Sequence, residues 1–102
     1  MTAKKKTHMG EIEKYVLVCI DKDPWIEQSE IAETLDIMQP SVSRALNNLR
    51  RKGLLKKEGN SYQLTSKAHE EIDGVYKSIL NDIKKATRII ERGSRVLELE
   101  DA

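Results

Sequence analysis

The sequence predicts an α+β protein that is mostly helical, in the order helix, helix, helix, β-hairpin, long helix. Three observations lead to this fold class. Apolar residues recur at spacings of three and four in four segments, as they do along one face of a helix. Gly59-Asn60 separates two short strand-like segments and favours a two-residue turn. The 102 residues, of which 38% are hydrophobic, suffice for one modest core.

The first predicted helix follows Thr7, whose hydroxyl can cap a helix N-terminus. Asp23 ends this helix, because the residue before a proline is driven out of the helical region. Its apolar face consists of Met9, Ile12, Tyr15, Val16, Cys19 and Ile20.

A second helix is predicted from about Gln28 to Leu35, and residues 36–38 form a tight connection to a third. The third helix begins at Gln39-Pro40, where proline is tolerated because first-turn amides have no helical partner. Gly53 then occupies the C-cap position. The residues expected to be buried are Ile31, Ala32 and Leu35 in the second helix and Val42, Ala45, Leu46 and Leu49 in the third.

Two short strands are predicted at about 54–58 and 61–65. The turn between them is expected to have positive φ at both Gly59 and Asn60. Thr65 or Ser66 caps a final long helix that reaches at least Glu91.

The charge is unevenly distributed along the chain. In total, 18 basic and 17 acidic residues give a formal charge of +1. From Gln39 to Lys57, however, there are six basic residues and no acidic one, whereas Asp21 to Asp36 contains six acidic residues and one lysine. A positive segment of this density can contact phosphates. A solvated helix face is the alternative interpretation.

The periodicity of the third helix favours the phosphate interpretation. Its side opposite the apolar stripe has no carboxylate, and arginine can bond guanine while asparagine or glutamine can bond adenine. A helix of this kind fits the major groove of DNA. This side consists of Pro40, Arg44, Asn47 and Arg51, flanked by Ser41, Ser43 and Asn48.

Residues 31–55, IAETLDIMQPSVSRALNNLRRKGLL, resemble the helix-turn-helix and first wing strand of MarR-like and related winged-helix regulators. Residues 62–68, YQLTSKA, are similar to the strand that leads into the last helix of those families. The resemblance covers about Ile12 to Ala68 and implies a winged helix-turn-helix DNA-binding domain over residues 7–66.

The resemblance also implies roles for individual residues. The base-reading positions fall on Gln39, Ser41, Ser43, Arg44 and Asn47, and the DNA-backbone positions on Arg50, Arg51, Lys56 and Lys57. The chain departs from the family pattern at the wing, which turns on Gly59-Asn60 without a long tip. It departs again at Met38, which cannot cap the recognition helix as Ser, Thr or Asp would, at a cost of about 1 kcal/mol.

The last helix carries a heptad pattern of apolar residues typical of helix pairing. From Ser66 to Arg92 it extends about 40 Å, whereas a domain of about 65 residues has a diameter near 28 Å. The helix must therefore extend past its own domain, and residues 67–97 are predicted to form a dimerisation helix. The dimerisation residues are Ile72, Tyr76, Ile79, Ile83 and Ile90, continued by Ala86, Gly93 and Leu97.

Further apolar positions at Val75, Leu80, Ile89 and Val96 widen this stripe. We interpret the width as packing on two helices, the first helix of the same chain and the equivalent helix of a second copy. Parallel and antiparallel pairing both remain open, and Gly93 either stops the helix or allows close backbone approach. The alternative is that the stripe only covers the core of its own chain.

Together these patterns predict a homodimeric winged-helix DNA-binding protein, a transcriptional regulator of repressor type. Helix 39–52 is expected to enter the major groove of a palindromic site in double-stranded DNA. One alternative is an architectural or plasmid-partition protein with low sequence preference. Another is a winged-helix protein-interaction module with no role on DNA.

Other functions have little support in the sequence. The single cysteine, Cys19, argues against a disulfide scaffold, and no apolar run is long enough for a membrane span or a signal peptide. We therefore expect a cytoplasmic, nucleoid-associated protein.

His69-Glu70-Glu71 lacks the second histidine of a zinc-protease motif, and no enzyme, metal or cofactor is indicated. A small-molecule effector could occupy a crevice between long helices, although no residue set marks one. Lys4, Lys5 and Lys6 are either phosphate contacts or a solvated end.

Overall fold

The computed structural model describes the backbone of residues 6–101 and the side chains of residues 6–93. It confirms the α+β class and the order of the elements. The helices are α1 (Glu11–Lys22), α2 (Gln28–Leu35), α3 (Gln39–Arg51) and α4 (Ser66–Asp101), and the strands are β1 (Leu55–Glu58) and β2 (Ser61–Leu64).

One hydrophobic core joins α1, α2 and α3 to the base of the hairpin and the first turns of α4. The predicted inward stripe of α3 is confirmed, since all four of its residues are buried, whereas Leu35 of α2 is only partly buried. From α4, Ala68 and Val75 enter the same core. The largest fully buried side chains are Val16, Leu17, Ile20, Ile31, Val42, Leu46, Leu49 and Leu54.

Thr7 does not cap α1, contrary to the prediction. The helix begins at Glu11 with Gly10 as its N-cap residue, and no side chain caps it. Thr7 instead binds α4: its backbone N–H donates to Glu71 Oε1 at 2.6 Å and its hydroxyl to Glu71 Oε2 at 2.8 Å. These two bonds tie the segment before α1 to α4.

Tight turns set the position of α3 at both of its ends. Asp36 adopts φ 54° after α2, and the N–H of Ile37 donates to the carbonyl of Ala32 at 3.0 Å. After α3, Gly53 has φ +76°, and Leu54 N–H donates to the Leu49 carbonyl at 2.9 Å. This is the pattern of a Schellman motif, in which a left-handed residue satisfies the last helical carbonyls. The predicted use of Gly53 to end α3 is confirmed.

The two strands pair antiparallel in a register that runs from Leu55 opposite Leu64 to Glu58 opposite Ser61. Gly59-Asn60 forms the two-residue turn, as predicted. Gly59 has φ 57°, but Asp36 is the one non-glycine residue with positive φ in the described chain, so the expectation of positive φ at Asn60 was wrong. A turn with positive φ at its first central residue alone matches type II′ instead of type I′.

Thr65 caps α4, and it is one of the two residues that were predicted to do so. Its hydroxyl oxygen accepts a hydrogen bond from the Ala68 N–H at 3.2 Å. The helix continues through Gly93, which therefore does not stop it. Farther along, α4 is tied to α1, since Lys14 Nζ donates to Ser78 Oγ at 2.8 Å.

A second hydrogen bond joins α4 to the end of α1, and it makes the free energy of unfolding vary with pH in the alkaline range. The Tyr76 hydroxyl donates to Asp21 Oδ2 at 2.6 Å. This hydrogen bond, together with burial and the Asp21 charge, raises the pKa of Tyr76 from 10.0 to about 12. Because the folded pKa lies above the unfolded one, the protonated hydroxyl stabilises the fold fully below pH 10 and loses that effect between pH 10 and pH 12.

We therefore expect the wild type to exceed Tyr76→Phe in free energy of unfolding by a constant amount below pH 10. That difference should shrink as the pH rises from 10 to 12. Urea denaturation of both proteins at pH 8, 10, 11 and 12 measures the difference. The pKa of Tyr15 is also raised, mainly by its hydrogen bond to Glu11, but its titration is common to both proteins and cancels. A difference that stayed constant up to pH 12 would contradict the role given to this bond.

Candidate nucleic-acid interface

The outer side of α3 is the first part of the candidate interface. We call its five predicted base-reading residues the recognition surface. Gln39, Arg44 and Asn47 are exposed, and Ser41 and Ser43 are half-buried. They point outward because the opposite side of the helix is buried in the core. The surface is thus a set of neutral or positive hydrogen-bonding groups on a rigid support.

No side chain caps the amides in the first turn of α3, as expected from a methionine at position 38. Met38 is the N-cap residue, makes no side-chain hydrogen bond and is 76% exposed. Proline occupies the first turn and no acidic residue follows in it. The positive end of the helix dipole therefore faces solvent without a neutralising carboxylate.

A basic groove lies beside the recognition surface, between the end of α3 and β1. It encloses about 580 Å³ and is lined by Asn47, Arg50, Arg51, Leu55, Lys56 and Lys57. All four predicted DNA-backbone residues are therefore brought together, and all four are exposed. Lys56 lies 3.3 Å from Glu58, but both side chains are more than half exposed, so this ion pair is weak.

Lys52, counted in the sequence among the six cations of this segment, is used inside the protein. Its Nζ forms an ion pair with Glu13 of α1 and donates to the His8 carbonyl at 2.8 Å. Asn48 also donates to Glu13, at 3.4 Å. Periodicity contained the signal for this, because Lys52 follows Leu49 by three residues and so continues the buried stripe.

The predicted dimerisation residues divide into two groups. Ile72 and Ile79 pack partly against the core of their own chain, and Tyr76 is half-buried against α1. Ile83 and Ile90 are 55% and 62% exposed. Leu80 and Ile89, which widen the stripe, are also exposed. The side chains of Val96 and Leu97 lie outside those that the structure describes.

Sites of other chemistry receive no support from the described residues. They contain no group of three or more histidine, cysteine, aspartate or glutamate side chains that could hold a metal ion. Cys19 is half-buried, and this burial raises the pKa of its thiol. Among the described helices, none combines the length and apolar content that a membrane span requires. Lys4 and Lys5 lie outside the described residues, and Lys6 is exposed.

Solved structures of winged-helix proteins share this architecture. The transcriptional repressor CouR, solved with p-coumaroyl-CoA, has 26% identity and a TM-score of 0.66 over 91% of this chain and 69% of CouR. MosR of M. tuberculosis has 16% identity and a TM-score of 0.62 over 92% of this chain and 78% of its own. MepR of S. aureus in its DNA complex has 18% identity and a TM-score of 0.61 over 91% of this chain and 78% of the MepR chain. The likeness to MosR and MepR is one of fold.

The family assignment rests on the sequence of the helix-turn-helix and its surroundings. A model of the MarR family matches residues 9–62, just over half of the chain. No curated protein matches the chain. The matched segment contains α1, α2, α3 and most of the hairpin, which are the elements that build the candidate interface. The chain belongs to the MarR family.

Proposed function

We propose that the protein is a homodimeric, cytoplasmic transcriptional regulator of repressor type that acts at the nucleoid by occupying operator DNA. Residues 7–66 bind the DNA and residues 67–97 dimerise. The observation that carries the proposal is the exposed, carboxylate-free face of α3 beside the basic groove. Support for DNA binding comes from the DNA complex of MepR, and support for repression comes from CouR.

In this proposal α3 enters the major groove with its N-terminal half toward the base edges. Gln39 and Asn47 can bond adenine, Arg44 can bond guanine with two hydrogen bonds, and the two serines can bond either. The four cations of the basic groove contact phosphates and set the register of α3 on the duplex. Lys52 is left out of this set, because Glu13 neutralises it.

The second copy is proposed from the exposed half of the apolar stripe. The 36 residues of α4 span about 54 Å. The apolar side chains that its own domain leaves exposed, Leu80, Ile83, Ile89 and Ile90, lie beyond the part of α4 that enters the core. Pairing of two such helices would bury these side chains and present two α3 helices. A two-fold dimer then favours a palindromic site with half-sites about 34–36 Å apart.

The decisive experiment selects genomic DNA fragments with the purified protein and sequences them. A palindromic motif with half-sites one helical turn apart supports the proposal and supplies the operator for the titrations below. Binding with an operator-to-random affinity ratio near one would indicate an architectural protein instead. Absence of salt-dependent DNA binding would indicate a protein-interaction module.

Arg44→Ala should weaken binding to the operator by about 1–3 kcal/mol and relax specificity at one base pair, because a two-bond contact to guanine is lost. Binding to random duplex should change much less. Fluorescence anisotropy titrations at one salt concentration, with operator and scrambled duplexes, measure both. Equal losses on the two duplexes would remove Arg44 from the base-reading set.

Lys56→Ala should weaken binding to operator and random duplex by a similar factor, since a phosphate contact carries no sequence information. The slope of log K against log salt concentration should fall by about 0.9. Titrations between 50 and 200 mM salt give the slope. Glu58→Gln is the matched control, because it removes the partner of Lys56 and should leave the slope unchanged or slightly steeper. An unchanged slope for Lys56→Ala would place Lys56 away from the DNA.

A further inference from the structure

Residues 77–92 of α4 carry a row of cations that the proposed contacts of α3 do not use. Five exposed basic side chains fall within about 100° of arc around the helix axis, at 3.6 residues per turn. Between residues 77 and 92 no carboxylate falls in this arc, because Asp82 and Glu91 lie outside its two edges. We call this row the basic stripe, and its members are Lys77, Lys84, Lys85, Arg88 and Arg92.

The basic stripe lies on the side of α4 opposite Ile83 and Ile90, and Leu80 and Ile89 lie about 40° beyond its two edges. Its centre is about 160° around the helix from the midpoint between Ile83 and Ile90. Val75 and Ala68, which enter the core, lie on the apolar side as well. A partner that covers the apolar side therefore leaves the basic stripe facing outward, whichever way the two helices run.

Two pairs of like charges lie within the stripe. Lys84 and Arg88 are four residues apart, as are Arg88 and Arg92, and like charges at this spacing destabilise a helix. All three side chains are exposed and point to the same side. A polyanion laid along the helix would replace this repulsion with attraction.

We propose that the basic stripe is a second, sequence-independent surface for double-stranded DNA. From Lys77 to Arg92 it extends about 22 Å, which corresponds to about six base pairs of duplex at 3.4 Å each. Its lysines and arginines contact phosphates, so they add affinity and salt dependence without base recognition. The protein then holds one duplex segment at α3 and another along α4. This inference goes beyond the proposed function, because it requires neither base reading nor an operator.

DNA fits the stripe better than an anionic membrane does. A membrane-binding amphipathic helix inserts its apolar side among the lipids and keeps its cations at the headgroups. If α4 bound in that way, the stripe would point away from the membrane, because it lies opposite Ile83 and Ile90. Contact of DNA with the stripe needs no change on the apolar side.

The test compares full-length variants on a 30-bp random-sequence duplex over a salt series. The stripe variant carries Lys84→Gln, Lys85→Gln, Arg88→Gln and Arg92→Gln. We expect the slope of log K against log salt to fall by about 0.9 for each lost phosphate contact. The matched control exchanges Lys84 and Lys85 for arginine and Arg88 and Arg92 for lysine, and it should keep the wild-type slope. Circular dichroism and sedimentation establish that helix content and oligomeric state are equal.

A variant with Arg44, Arg50 and Arg51 changed to alanine separates this inference from the proposed function. It should lose the preference for the operator and still bind random duplex. The added stripe substitutions should weaken that remaining binding further, so that only the phosphate contacts of Lys56 and Lys57 are left. If the added stripe substitutions left the binding of random duplex unchanged, only the stripe proposal would be overturned. Wild-type affinity and slope in the stripe variant would also overturn it. So would stripe-dependent binding to vesicles of 30% phosphatidylserine without an effect on DNA.

A measurement on the unaltered protein completes the test. Amine-reactive labelling followed by mass spectrometry reports the accessibility of each lysine. Random duplex should protect Lys84 and Lys85 and leave Lys22, on α1, reactive. Equal reactivity of Lys84 and Lys85 with and without duplex would overturn the proposal.

Discussion

Glutamate at both Ile83 and Ile90 should convert the protein from a dimer to a monomer with an intact fold. These side chains are 55% and 62% exposed in one chain, so their apolar surface is available to a second copy. Complete burial of one isoleucine contributes about 1.5–3 kcal/mol, and somewhat more than half of this is still available at each of the four isoleucines that a two-fold dimer buries. Glutamate removes this term and adds the cost of placing charges in an apolar contact. The dissociation constant should rise by more than about 10⁴-fold.

Sedimentation velocity over a range of protein concentrations measures this change. Leucine at both positions keeps the apolar surface and should leave a dimer, whereas Asn81→Glu adds an exposed charge off the apolar side and should also leave one. Circular dichroism should show little loss of helix in the glutamate variant, since neither isoleucine lies in the core. A wild type that is monomeric at micromolar concentration, or a glutamate variant that stays dimeric, would contradict the proposed dimer.

The same variant links dimerisation to function. A monomer presents one α3, so it can occupy only one half of a palindromic operator. Its affinity for the full operator should fall to that for an isolated half-site, while the contacts of each α3 remain available. If a single wild-type chain bound both half-sites, the assignment of one half-site to each chain would be contradicted.

The parts of the fold that the sequence predicts well are those that local periodicity specifies. Val42 and Leu49 belong to a stripe at spacings of three and four, and burial of that stripe determines which side of α3 faces solvent. Gly53 ends the helix because a left-handed residue is needed there, and glycine adopts it without strain. The outward direction of Arg44 and Asn47 follows from the same periodicity.

Contacts between residues that lie far apart in the sequence could not be predicted from local patterns. Thr7 has the chemistry of a helix cap, but its hydroxyl binds Glu71, which is 64 residues away. Glu13 neutralises Lys52 across 39 residues, so a local count of charges overstated the positive charge available to DNA. At Asn60 the residue type allows either sign of φ, and the negative one is found. For Thr7 and Lys52, tertiary packing decides among options that are locally equivalent.

Leu49→Ala should reduce the free energy of unfolding by about 2–5 kcal/mol, because it leaves a cavity where α3 meets the rest of the core. Leu49 is completely buried, and its carbonyl accepts the Leu54 N–H that closes the end of α3. Domains of this size have a total stability of about 5–15 kcal/mol, so the variant loses a large share of it. Urea denaturation at a fixed protein concentration measures the change, since unfolding of a dimer depends on concentration.

Asn47→Ala, two residues away on the opposite side of α3, is the matched control. We expect it to affect operator binding and not the stability of the fold. Asn47 is exposed, so its removal should change the free energy of unfolding by no more than about 0.5 kcal/mol. Its effect should instead appear as weaker binding to the operator. Leu49→Met keeps the volume of the core and should cost less than about 1.5 kcal/mol. If Leu49→Ala cost no more than Leu49→Met, the buried stripe would not be what supports α3, and the outward direction of the recognition surface would lose its physical basis.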